Sequence, residues 1–187
     1  EKLFQELGYR DYLGALQRFR VENPYEPHLV TAATFLVDYP FANRLYPEAL
    51  DVLEQFRHWG QTVILSDGDV VFQPRKVERS GIFEAVDGHV LIYIHKEESL
   101  EDVVRRYPAE HYVMVDDKLR ILTAIKKYWG DRVTTVFPRQ GQFAFNPQVI
   151  ASYPPADVTV DRIGSLLGMD LADLLESRQP TQPTGAV

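Results

Sequence analysis

His111–Lys118 reads HYVMVDDK, and the interpretation of the whole chain turns on these eight residues. Tyr112–Val115 is apolar and mostly β-branched or aromatic, the composition of a strand buried on both faces. Asp116 and Asp117 follow directly. From there to Trp129 apolar residues recur at helical spacing, at Leu119, Leu122, Ile125 and Trp129. A strand running straight into a helix puts both carboxylates at the carboxyl end of a parallel strand, where open α/β sheets bind ligands. Adjacent like charges repel unless a cation or strong donors compensate them. Hard oxygen ligands in such a place suit Mg2+.

The flanking sequence alternates between strand and helix patterns. Before the acid pair, Pro47 opens a helix over Glu48–Trp59, which Gly60 closes. Thr62–Leu65 (TVIL) is a short buried strand ending at Ser66-Asp67-Gly68-Asp69. A helix over Pro74–Ser80 stops at Gly81, and Asp87-Gly88 is a turn signal. Val90–Ile94 (VLIYI) is a strand, followed by His95, Lys96 and a helix over Leu100–Tyr107. After the acid pair come a strand at Val133–Phe137, a loop at Gln140–Phe145, a short strand at Asp157–Val160 and a terminal helix over Asp161–Leu175. Such alternation predicts a three-layer, Rossmann-like α/β fold, a doubly wound parallel sheet with helices on both faces.

The first 45 residues differ in character. Lys2–Phe19 carries a helical stripe broken near Gly8, Asn23-Pro24 and Glu26-Pro27 mark a loop, and His28–Val37 is a second helix ending before Pro40. The expected organisation is a small helical subdomain over 1–45, an α/β core over 46–176 and a disordered tail over 177–187. The chain begins with Glu1 and not Met, inside a helical pattern, as though its natural start lay upstream.

Composition narrows the function. The chain has 187 residues, of which 45% are hydrophobic, enough for one α/β core with a modest appendage. A net charge of −7 argues against nucleic acid and anionic membrane as partners. There is no cysteine, so no disulfide and no cysteine metal site can form. No apolar run approaches the roughly 18 residues of a membrane span, and no signal peptide is visible, so a cytoplasmic enzyme acting on a small molecule is expected. The oligomeric state is not legible.

Three strand ends carry chemistry. Ser66 follows one strand, Lys96 the next, and Asp116-Asp117 a third. A hydroxyl, an ammonium and paired carboxylates converging on one crevice suit a phosphate held by Lys and hydroxyl, with Mg2+ bridging it to the carboxylates. Here the chain resembles the haloacid dehalogenase-like hydrolases, most of which are phosphatases. The matching stretches are LYPEALDVLEQFRHWGQTVILSDGD, the lysine of HKEESL, and VMVDDK, in that order and at intervals of about 30 and 20 residues. The resemblance runs from about Leu45 to the end of the terminal helix. It implies that Ser66 is the second-motif hydroxyl that bonds the transferring phosphoryl group, and that Lys96 is the third-motif lysine. It implies further that Asp117 is the main Mg2+ ligand with Asp116 in support, and that Glu1–Tyr46 corresponds to a cap that closes over the core.

One element of the family pattern has no counterpart. The first motif, Asp-x-Asp on the central strand, supplies the nucleophile and the general acid/base, and it precedes the cap. Asp38 in FLVDYPF is the internal candidate, but proline occupies position 40. A sheet without its central strand leaves backbone groups unpaired, each costing roughly 1–3 kcal/mol if buried. An upstream segment carrying that strand and its aspartates is therefore expected.

Each residue also has a plainer reading. Ser66 could cap a turn, Lys96 could be a solvated lysine at a helix start, and the acid pair could cap the helix after its strand. Asp67 and Asp69 fit turn chemistry, and His28, His58, His89, His95 and His111 lack metal-ligand spacing. Tyr39, Phe41 and Tyr46 fit the joint between cap and core, and Arg139 and Gln140 are candidates for substrate contact. The ordered combination favours a Mg2+-dependent phosphatase with an aspartyl-phosphate intermediate. The alternatives are a metal-free dehalogenase of small halo-acids, a catalytically silent binding relative, and a receiver domain, whose motifs run in a different order.

Overall fold

The computed structural model describes residue 6 and residues 11–177. In chain order its principal elements are α1 (Tyr12–Glu22), α2 (Leu29–Asp38), α3 (Ala49–Trp59), β1 (Ile64–Asp67), α4 (Phe72–Arg79), α5 (Ile82–Ala85), β2 (Val90–Tyr93), α6 (Leu100–Arg106), β3 (Tyr112–Val115), α7 (Leu119–Trp129), β4 (Val133–Pro138), α8 (Pro147–Ala151), β5 (Val158–Val160) and α9 (Leu171–Glu176). Most of the expected first helix before Asp11, and the tail from residue 178 onward, lie outside the described residues. The chain divides into two compact units. One comprises Glu1–Leu45 and Thr62–Lys96, the other Tyr46–Gln61 and Glu97–Val187. No helix among the described residues is long and apolar enough to cross a membrane.

In the first unit, β1 and β2 pair in parallel, from Ile64 opposite Val90 to Asp67 opposite Tyr93. The strand therefore starts two residues later than TVIL suggests and takes in Ser66 and Asp67. The physical reason is the ladder: Ile92 and Tyr93 offer partners to these residues, and the Gly68 N–H still donates to the Tyr93 carbonyl at 2.9 Å. Asp11 caps α1 by accepting the Gly14 N–H at 2.7 Å. Phe72, 5% exposed, gathers aromatic rings from distant sequence, with Tyr12 at 5.0 Å and Phe41 at 5.8 Å between centroids. Asp87 and Gly88 both take positive φ, 50° and 73°, as the turn signal requires.

In the second unit, β3, β4 and β5 form a parallel sheet in that order. Alternation along the strands sends side chains to opposite faces. Val113, Val115, Val136 and Val158 pack with Val52, Phe56 and Trp59 of α3 and with Leu166 and Leu174. Met114 and Phe137 pack with Leu119 and Leu122 of α7, together with Ala144, Ile150 and Tyr153. Helical layers thus cover both faces of this sheet, the Rossmann-like α/β arrangement that the alternating pattern predicts.

Two further expectations need correction. Tyr112–Val115 is half-buried throughout, whereas β4 is wholly buried. β4 has strands bonded on both sides, while β3 has β4 alone among the described residues. The expected terminal helix over Asp161–Leu175 is two pieces, a 3-10 segment at Ile163–Gly168 and α9. A new helix starts because Asp170 and Asp173 form a reciprocal capping box at its head. α8 lies just past the expected loop at Gln140–Phe145, with Asn146 accepting the Gln148 and Val149 N–H groups and Pro147 in its first turn. Five residues are too few to show helical periodicity in the sequence.

Leu166 is fully buried in the α3-side core. Leu166→Ala is expected to cost roughly 2–5 kcal/mol in urea unfolding, against about 0.5 kcal/mol or less for the half-exposed Leu50→Ala. Equal midpoints for the two variants would show that this cluster does not hold the unit together.

Candidate active site

The first unit presents a hydroxyl and a buried ammonium at the same end of β1. Ser66 is the next-to-last residue of the strand, and its Oγ accepts the Gln73 Nε2–H at 2.7 Å. Lys96 is 7% exposed. Its Nζ donates to the carbonyl of Leu65, the residue before Ser66, at 3.1 Å, and its backbone N–H donates to Asp67 Oδ1 at 2.8 Å. Burying an ammonium is costly unless oxygens receive its protons. The Leu65 carbonyl of β1 is one such oxygen.

The second unit presents the acid pair. The Asp116 N–H donates to the Val136 carbonyl at 3.2 Å, extending the β3–β4 ladder by one rung. Asp116 Oδ1 then accepts the Lys118 N–H at 2.8 Å, turning the chain into α7. Asp117 is faced by Gly141, whose φ is +79°. A Cβ at Gly141 would lie 2.7 Å from Asp117 Oδ2 and 3.4 Å from the Tyr46 hydroxyl. The glycine keeps that space open at a carboxylate oxygen. Two hard carboxylates with room at one of them fit Mg2+, which keeps several waters and takes one or two protein carboxylates. Among the described residues no three His, Asp or Glu side chains gather as a metal site.

Ser66 and Lys96 therefore lie in one compact unit, and Asp116 and Asp117 in the other. Other candidates have structural occupations. Asp69 Oδ1 accepts the Val71 and Phe72 N–H groups at 2.9 and 2.6 Å, and so caps α4. Asp38 ends a helix, not a strand, and pairs with Arg75 at 3.4 Å and Arg79 at 3.6 Å. Gln140 Oε1 accepts the Ile163 N–H, and Arg139 pairs with Asp161 at 3.7 Å. His111 bonds Thr134 through Nε2 at 2.9 Å. The backbone N–H and ring of His28 hold the partly exposed Glu26 carboxyl below its usual range. Tyr39 packs on Phe41 at 5.2 Å within the first unit.

The sequence reading missed the neighbours of these candidates. Gln73 on Ser66, the Asp67 carboxylate on the Lys96 N–H, and Gly141 against Asp117 carry no motif. The one local signal was Gly68 between Asp67 and Asp69; Gly141 has a glutamine on each side and gave none.

Comparison with known proteins identifies the family. The model of the haloacid dehalogenase-like hydrolase family matches residues 2–127. A solved structure from Burkholderia xenovorans LB400, described as a haloacid dehalogenase-like hydrolase, is 64% identical. The match covers 90% of this chain and 79% of that one, with a TM-score of 0.85. No protein of curated function matches the chain.

The space at Asp117 can be tested by substitution. Gly130 and Gly141 both have positive φ, 57° and 79°, but a Cβ at Gly130 meets nothing within 4 Å. Gly130→Ala is expected to cost about 1–3 kcal/mol from backbone strain alone. Gly141→Ala should cost measurably more in the same denaturant titration, because Asp117 must also move. Equal costs would show that the Gly141 loop does not press on Asp117.

Proposed function

The chain belongs to the haloacid dehalogenase-like hydrolases, and from that membership we propose that it is a Mg2+-dependent phosphatase acting on a small phosphorylated metabolite. The observation that carries the proposal is the acid pair Asp116-Asp117 at the end of β3, with space held open beside Asp117 by Gly141. A dehalogenase needs no metal, and adjacent carboxylates are best accounted for by a cation.

In this proposal each residue has one task. The Ser66 hydroxyl donates to an oxygen of the transferring phosphoryl group. The Lys96 ammonium, already desolvated, offsets negative charge on the phosphoryl oxygens as the bond to the leaving group lengthens. Asp117, supported by Asp116, holds Mg2+. When bound, Mg2+ neutralises phosphoryl charge and orients the group for in-line attack. A carboxylate oxygen attacks phosphorus, the P–O bond to the substrate alcohol breaks, and the alcohol leaves with a proton from a general acid. Water then cleaves the aspartyl-phosphate and releases inorganic phosphate. We assign neither the attacking carboxylate nor the general acid to a residue of this sequence. The helical segment over 1–45 is proposed as cap, or part of one, and as the determinant of substrate choice.

The intact protein is expected to hydrolyse p-nitrophenyl phosphate with Mg2+ and to lose that activity in EDTA. Lys96→Ala and Asp117→Asn should each lower kcat/KM by about 100-fold or more. Halide release from a 2-halo-acid, undiminished by EDTA, would instead establish the dehalogenase reading.

A further inference from the structure

We propose that Gln73 is a positioning residue that forces the Ser66 hydroxyl to act as a hydrogen-bond donor toward the bound anion. The inference rests on the proposed role of Ser66 and adds the reason its proton is available. Lys76 Nζ lies 3.4 Å from Gln73 Oε1, and Gln73 Nε2 lies 2.7 Å from Ser66 Oγ. An ammonium can only donate, so the amide oxygen must face Lys76. The amide nitrogen must then face Ser66, and the serine oxygen accepts. Its single O–H is left for another acceptor. The carbonyl of Asp67 stands at 3.4 Å, long for an O–H donor, which prefers about 2.7–2.8 Å. A phosphoryl oxygen is a better acceptor than that carbonyl.

The surrounding loop is built to hold Gln73 in place. Asp69 caps α4 through the N–H groups of Val71 and Phe72, fixing the first turn in which Gln73 lies. Phe72 is buried, and the Lys76 ammonium sits 5.3 Å from the centre of its ring. Gly68 has no side chain where one would collide: a Cβ there would lie 2.6 Å from Gln73 Cβ and 2.7 Å from Cγ. The glutamine side chain thus lies across the Gly68 backbone to reach Ser66. All of these residues belong to the first compact unit.

The test is a double-mutant cycle read by calorimetric binding of inorganic phosphate in the presence of Mg2+. Gln73→Glu presents acceptors in place of the donor, draws the serine proton toward itself, and is expected to weaken binding by about tenfold or more. In a Ser66→Ala background the same substitution should weaken binding by about threefold or less, the part due to added charge alone. Gln73→Met removes the donor without adding charge. It should weaken binding when Ser66 is present and leave it unchanged in Ser66→Ala. It also keeps the test decisive should Gln73→Glu unfold, as thermal denaturation of each variant would reveal. Equal losses in the two backgrounds would overturn the positioning role and leave the proposed function standing. Unchanged phosphate affinity in Ser66→Ala, or none in the wild type, would overturn the assignment of Ser66 and the inference with it.

Discussion

The buried strand β4 is the constraint from which the second unit follows. All six of its residues are buried, so each backbone N–H and C=O must find a protein partner. β3 and β5 supply them in parallel register. The last rung on the β3 side joins the Val136 carbonyl to the Asp116 N–H. Where that ladder stops, the chain must turn outward, and the two carboxylates lie at the turn. Their position is therefore a product of hydrogen-bond accounting in an apolar core, not of any attraction between the acids, which repel each other.

Polar side chains inside this framework are held by similar accounting. Asp157, almost fully buried, accepts from Lys126 at 3.0 Å and from the backbone and hydroxyl of Thr135, both at 2.8 Å. This network ties α7, β4 and the approach to β5, and it leaves neither the carboxylate nor the ammonium without a partner. In the first unit, Lys96 is treated in the same way by Leu65 and Asp67. Lys126 meets a carboxylate that neutralises it. The Lys96 ammonium donates to the Leu65 carbonyl on β1, next in the chain to the serine hydroxyl.

Long-range aromatic and ionic contacts explain why residues before position 45 fold with β1, β2 and α4. Phe72 receives Tyr12 and Phe41, and Asp38 at the end of α2 meets Arg75 and Arg79 of α4. The ion pairs are partly exposed and contribute little each, so ring burial carries more of the association. The same contacts give Asp38 a structural occupation at the end of a helix, unlike the strand-borne position a family nucleophile takes.

Local patterning was enough to identify the family and to place most elements. Alternating strand and helix signals, the bounds of β3 and α7, and the order hydroxyl, lysine, acid pair are properties of short stretches, so they survive without tertiary information. Strand ends and short helices did not survive. The span of β1 depends on its partner β2, and the break at Gly168–Asp170 depends on caps formed only when the chain is folded. The supporting contacts were hidden for the same reason. The Gln73 amide reaches Ser66 across a glycine, and Gly141 meets Asp117 from 24 residues further along. Residue types at separate points of a sequence state which chemistry is possible. Their hydrogen-bond partners, and hence which proton each one has to offer, exist only once the backbone has brought them within 3 Å.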